Sequence, residues 1–242
     1  METDLRKLSH YLSENAQVID YCVLASQKPI LFLAETHKKN PIRIEIAGSA
    51  KFFKQSGFTH YGIEASFHGQ PALDRLMTTQ IVDFSGILLG PDGGDSYELA
   101  VRAVAAQGIK VRALDIEDGG TKEVETRENH MYQEVSKIFK EDKFAKMAIL
   151  IGALHARRTG FCIFLNTKPL GTRLLESGVD SLIARYICAD NSDSAPGFQK
   201  IVREVGLQNS PFMIRLQTLQ QFINLGVDTS DFVIYLPKYK TD

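Results

Sequence analysis

Ile30-Leu31-Phe32-Leu33-Ala34-Glu35-Thr36-His37 decides the reading of this chain. A run of four apolar residues between Lys28-Pro29 and a polar exit reads as a short strand buried on both faces of a parallel sheet. The same frame recurs downstream, where Ala148-Ile149-Leu150-Ile151 leads into Gly152-Ala153-Leu154-His155. Each His therefore stands just past the carboxyl end of a strand. Two further strands end in carboxylates: His60-Tyr61-Gly62-Ile63 runs into Glu64, and Lys110-Val111-Arg112-Ala113-Leu114 into Asp115. In open α/β sheets the ligand binds outside the carboxyl ends of the strands. If the four strands are neighbours, four ionisable side chains meet at one edge.

Helical patterns separate these strands. Pro41 to Ser56 carries Ile42, Ile46, Ala50 and Phe53 at helical spacing and stops at Gly57. Pro71 to Phe84 and Tyr97 to Gln107 read as two more helices, the latter closed by Gly108. Thr126 to Lys140 puts Met131, Val135, Ile138 and Phe139 on one face, and a short helix from Pro169 to Glu176 ends before Gly178. Ser181 to Cys188 and Asp231 to Pro237 complete the strands. This alternation predicts an α/β fold, a mainly parallel sheet flanked by helices on both faces. The sequence shows no clean boundary, so residues 1–242 read as a single domain. Within it, residues 1–27 form an N-terminal helical cover through the amphipathic stretch from Asp4 to Ser26. The stretches Gly90 to Asp95 and Asp118 to Gly120 read as loops, and residues 190–197 as a flexible loop.

Composition narrows the function classes. The chain is 44% hydrophobic and 24% charged, as in ordinary globular proteins, and its net charge is −1. With no basic stripe to follow phosphates, nucleic acid is not an expected partner. Met1-Glu2-Thr3-Asp4-Leu5 is polar and acidic where a secretory signal would be basic and then apolar. No apolar run approaches the roughly 20 residues that span a bilayer. No membrane span and a cytoplasmic location are the expectation. Cys22, Cys162 and Cys188 have neither disulfide nor zinc spacing and read as buried free thiols of a reducing compartment.

His37 and His155 lead the candidate catalytic residues, because imidazole exchanges protons near neutral pH and binds metals. Glu64, directly after an apolar strand, is costly there unless paired, hydrogen-bonded or bound to a cation. Glu35 precedes His37 by two, so on extended backbone their side chains share a face. Asp115 is a further candidate, with a wet acidic loop through Glu117 and Asp118 as its alternative reading. Arg127 opens a helix, where the dipole disfavours a cation, so a site carboxylate or an anionic substrate group is its expected partner. His60, His68 and His130 are additional possibilities. Cys162 is the competing nucleophile, but Phe161, Ile163 and Phe164 mark it as an inert buried thiol. A phosphate-binding loop, a dinucleotide fingerprint and a serine-hydrolase elbow are all missing from the sequence.

These residues, taken in order, resemble a known family. Glu35-Thr36-His37 resembles the Gly-Glu-x-x-His type of motif of the erythromycin esterase-like proteins, with Ala34 where the family usually has Gly. Gly57-Phe58 through Ile63-Glu64 resembles the strand that follows, and Ala113-Leu114-Asp115 the mid-chain strand ending in Asp. Arg127-Glu128 with Met131 is similar to an Arg-Asp-x-x-Met helix start, Gly152-Ala153-Leu154-His155 to the second His motif, and Pro169-Leu170-Gly171 to Leu174-Leu175 to the segment after it. The wider superfamily includes the Tiki and TraB proteins, the ChaN-like haem-binding lipoproteins and a domain of the Pasteurella toxin.

The resemblance implies a hydrolytic site in which His37 is the water-activating base and Glu64 and His155 its partners. Asp115 and Arg127 then support charge, with Glu35 in the first motif. By likeness to Tiki members it also implies a divalent metal (Mn, Co or Zn) on His37, Glu64 and His155. The chain is shorter between Glu64 and His155 than the macrolide esterases, which argues against their helical lid and their substrate. The expectation is an esterase- or metallopeptidase-like hydrolase acting on a small-molecule or peptide substrate. The alternative is a non-catalytic ligand- or haem-binding module, or a toxin or effector domain, on the same scaffold.

Overall fold

The computed structural model describes residues 2–36, 40–79, 84, 95–116, 124–162, 164–189, 196–215 and 230–238. Among them, seven strands form one sheet: β1 (Ile30–Glu35), β2 (His60–Ser66), β3 (Lys110–Asp115), β4 (Met147–Gly152), β5 (Ser181–Cys188), β6 (Phe212–Arg215) and β7 (Phe232–Leu236). Their order is β3-β2-β4-β1-β5-β7-β6, and every pairing is parallel except that of β6 with β7. The expected α/β class, with a mainly parallel sheet, is what the chain adopts.

The helices are α1 (Glu2–Asn15), α2 (Tyr21–Gln27), α3 (Asn40–Gln55), α4 (Gln70–Thr79), α5 (Asp95–Ala106), α6 (Val124–Glu141), α7 (Leu170–Glu176) and α8 (Pro196–Glu204). From β1 to β3 the chain steps toward one end of the sheet; after β3 it turns back. Right-handed crossovers then require α3 and α5 on one face and α6 and α7 on the other. Side-chain alternation agrees. Leu31 and Leu33 of β1 join a core with Ile46, Phe53 and Val101, whereas Ile30, Phe32 and Ala34 join one with Met131, Val135 and Leu174. Gly57 after α3 and Gly178 after α7 take φ of +84° and +85°, the left-handed turn that lets each helix stop.

Four details correct the sequence reading. The expected helix from Asp4 to Ser26 is two helices, because the Asp20 side chain caps α2 by accepting from Cys22 N at 2.8 Å and Val23 N at 3.2 Å. The residues between pair instead with the edge strand, Gln17 exchanging backbone hydrogen bonds with Met213. Cys22 is exposed, since it lies on the outer face of that short helix, while Cys162 and Cys188 are buried as expected. The sequence pattern left residues 198–215 unassigned, yet they supply α8 and the antiparallel β6, and Pro196 and Gly197 already belong to α8. The fourth concerns the helix expected from Pro71 to Phe84, which spans Gln70–Thr79, with residues 80–83 outside the described set. Of the loop expected from Gly90 to Asp95, Asp95 opens α5 instead, while 90–94, like 118–120 and 190–195, lie outside the described residues. Among the described residues no helix is long and apolar enough to cross a membrane.

Candidate active site

The strand order sets β3, β2, β4 and β1 side by side, so Asp115, Glu64 and His155 come to one edge together with Glu35. His37, two residues beyond Glu35 in the sequence, lies outside the described residues. Glu64 is the hub. Its side chain is 13% exposed, and Oε1 accepts from Arg127 Nη2 at 2.9 Å and lies 3.4 Å from His155 Nε2. Oε2 accepts from Gly152 N at 3.0 Å, so the end of β4 holds the carboxylate of β2. The β2–β3 register shifts between Ile63 and Ser66, the kind of irregularity that re-aims a side chain at a site.

Arg127 stands in the first turn of α6, where a cation opposes the helix dipole. Two carboxylates compensate for it. Its Nε donates to Asp115 Oδ1 at 2.9 Å and Oδ2 at 3.2 Å, and its Nη2 to both Asp115 and Glu64. The hydrogen bonds donated to Asp115, with the fields of Asp115 and Glu64, outweigh burial and raise the Arg127 pKa above its ordinary value. Asp115 is buried rather than wet, and its Oδ1 also accepts from Ile116 N at 2.8 Å.

His155 is buried between two carboxylates. Its Nδ1 is bonded to Glu128 Oε1 while its Nε2 faces Glu64. Burial alone would lower its pKa; the Glu128 hydrogen bond and the Glu64 field reverse this, and the imidazolium form is favoured. Glu128 is 0% exposed and was missed as a site residue. The signal was present: Glu128 falls on the same helical stripe as Met131, Val135 and Ile138, and a carboxylate on a buried stripe requires partners. Its second oxygen accepts from Leu170 N at 2.6 Å, at the start of α7. That helix also grips the His155 backbone, Gly171 N donating to His155 O at 3.0 Å. A Cβ on Gly171 would strike the Ala156 carbonyl oxygen and lie 2.6 Å from that of Arg157, so this approach needs glycine.

Glu35 belongs to the other face of the sheet. It continues the Leu31, Leu33 alternation toward α3, where Arg43 Nη2 lies 3.7 Å from its Oε1, with both side chains 3% exposed. Arg43 in turn sits over the Tyr97 ring, 4.6 Å from its centroid. His68 and His130 flank Phe67, just beyond β2, with ring centroids 4.0 Å and 5.1 Å from it. His60 is at the opposite, amino end of β2, paired with Lys110 and Met147, and is remote from this edge. Cys162 is buried, pairs by backbone with Thr167, and has Arg157 Nη1 3.9 Å from its Sγ.

The described cluster thus holds a carboxylate, Glu64, within reach of an imidazole with a raised pKa and of a fixed guanidinium. It can exchange a proton and stabilise negative charge. As for the expected metal, among the described residues no group of three or more His, Cys, Asp or Glu side chains could hold one, and His37 lies outside them. At least three of the roughly four acceptor positions of Glu64 already face Arg127, Gly152 and His155.

No family model matches the sequence, and no curated protein does. Solved structures do. A Bacillus cereus protein is similar over 97% of both chains, with a TM-score of 0.69 at 12% identity. An erythromycin esterase in its open conformation matches with a TM-score of 0.65 at 9% identity, over 91% of this chain and 93% of its own. ChaN of Campylobacter jejuni, solved with cofacially bound haem, matches with a TM-score of 0.51 at 11% identity, over 89% and 90%. The chain shares the fold of the erythromycin esterase and ChaN structures.

Proposed function

We propose that this chain is a hydrolase of an ester or amide bond, with His37, Glu64 and His155 as its reacting groups. The observation that carries this reading is a single contact: His155, whose pKa the Glu128 hydrogen bond raises, lies 3.4 Å from the carboxylate of Glu64. In the proposed step His37 takes a proton from a water oriented by Glu64, and the water oxygen bonds to the substrate carbonyl carbon. The tetrahedral intermediate then breaks its bond to the leaving oxygen or nitrogen, which takes a proton from the His155 imidazolium. His37 passes its proton to solvent, and His155 regains one.

Arg127 and Asp115 fix Glu64 against this cycle, and Glu35, beside Arg43, stands at the end of β1. A divalent metal on His37, Glu64 and His155 is the competing form of the proposal. It needs a neutral His155, whereas two flanking carboxylates favour the charged one. The likeness to the erythromycin esterase supports the scaffold, and the cluster supports the chemistry.

The test is turnover of a panel of aryl esters, lactones and short peptides, with chelator or with added Mn²⁺, Co²⁺ or Zn²⁺. At least one substrate is cleaved with chelator present, and His37→Ala loses on the order of 100-fold or more, the usual worth of a general base. A panel left intact, with a haemin titration giving a saturable absorbance shift, would replace this reading with a ligand carrier.

A further inference from the structure

Beside the polar cluster lies an aromatic margin that the proposed cycle leaves unused. Ser66, the last residue of β2, is in register with Asp115, so Phe67 is the first residue past the sheet edge on the β3 side of Glu64. It stands in a single helical turn, Phe67–Gly69, that is braced at both ends. Ser66 Oγ accepts from His68 N at 3.3 Å. After the turn the Gln70 side chain donates to Val111 O at 3.0 Å and accepts from Ala113 N at 2.8 Å, which pins the start of α4 along β3.

Phe67 is nevertheless 38% exposed, between the rings of His68 at 4.0 Å and His130 at 5.1 Å. His130 follows Arg127 by three on α6, so the two share a face of the helix, about 4.5 Å apart along its axis. Two contacts therefore join the same pair of elements side by side: Arg127 to Glu64 at 2.9 Å, and His130 to Phe67. The rings adjoin the carboxylate hub.

Position and geometry together select a flat apolar group. A ring held at the surface by a braced backbone has little freedom left to lose when another ring covers it. Aromatic pairs at offset or tilted geometry are worth more than the area they bury. The strand order gives the direction. β2 lies between β3 and β4, so Phe67 is on one side of Glu64 and His155 on the other. His155 protonates the leaving group in the proposed cycle, which sends the acyl part of the substrate the opposite way, over Phe67.

We propose that Phe67, with His68 and His130 as its side walls, is an acyl subsite that stacks an aromatic ring, and that the substrate is an ester or amide of an aromatic acid. The acyl assignment rests on the hydrolase reading; the binding of a ring does not.

Phenylacetate and cyclohexylacetate, alike in charge but not in π face, probe the subsite without turnover. In NMR titrations of the full chain at fixed pH, phenylacetate should move the His68 and His130 Cε1–H resonances by its ring current. It should bind about 3- to 10-fold more tightly than cyclohexylacetate, the worth of one aromatic pair. Phe67→Ala should abolish that preference; if it does not fold, Phe67→Leu, which keeps an apolar side chain without the ring, should do the same. Equal affinities in the wild type, or a preference that survives in the variants, overturn the proposal. Ethyl phenylacetate and ethyl cyclohexylacetate separate it from the hydrolase reading. A binding preference with neither ester nor any of the panel cleaved upholds the ring site and removes hydrolysis, whereas cleavage of both esters with no preference removes the subsite alone.

Discussion

Glu64 Oε1 and His155 Nε2 face each other 3.4 Å apart across the carboxyl ends of β2 and β4. These strands are neighbours in the sheet although residues 67–146 separate them in the chain, so the contact exists only because β4 inserts between β1 and β2.

His155 makes stability depend on pH in a defined direction. Its folded pKa is raised above the ordinary 6.5. A group of this kind contributes fully below the unfolded pKa, and its contribution fades as pH rises through the folded one. Urea unfolding of His155→Gln should therefore show its largest deficit in acid, shrinking toward alkaline pH. His60 has the opposite sign. Burial first, then Arg112 and Lys110, push its pKa down to about 4. Keeping it neutral costs stability progressively as pH falls from about 6.5, the unfolded value, toward its folded one. His60→Gln should accordingly flatten the acid limb of the wild-type profile.

Glu128→Gln keeps the shape and removes the charge. The Leu170 N–H keeps an acceptor, but the imidazolium loses the hydrogen bond that charges it. We expect a loss of about 1–3 kcal/mol and a fall in the His155 pKa, followed through its Cε1–H resonance in an NMR titration. An unchanged titration would mean that Glu64 alone holds the proton on the ring.

Arg127→Ala strands two carboxylates. Glu64 and Asp115 lose the guanidinium they share, and breaking such a largely buried pair costs about 3–5 kcal/mol, toward the lower figure here because both acids keep some exposure. Asp115→Asn in the same background should recover part of the loss, read as a double-mutant cycle by denaturant melts.

Two glycines separate rigid from yielding contacts. At Gly171 a new Cβ meets backbone carbonyls, at Gly62 the side-chain ends Leu114 Cδ1 and Met147 Cε at 2.7 Å. Overpacking costs typically about 1–3 kcal/mol. Gly171→Ala should exceed Gly62→Ala, because carbonyls held by α7 cannot turn aside, and thermal melts of the two decide it.

The apolar strand runs and their polar exits made the sheet edge legible, since a parallel strand buried on both faces leaves few alternatives for Glu64, Asp115 or His155. The pairing of Arg127 followed from its disfavoured place in the helix. The assignment of Glu35 to the α3 face did not, because alternation gives a side chain's parity and not which helix covers it until the crossovers are known. Glu128 was readable but overshadowed by its neighbour Arg127. The break at Asp20 and the strand Phe212–Arg215 escaped because an amphipathic period continues across one and four residues are too few to show a period in the other.

The most direct measurement is the kcat/KM of Glu64→Gln for the best substrate of the panel, on protein whose melting temperature matches the wild type within a few degrees. The account predicts a fall on the order of 100-fold or more, since the amide carries no negative charge for His155 and has one acceptor oxygen where the carboxylate has two. A rate within twofold of the wild type would contradict it.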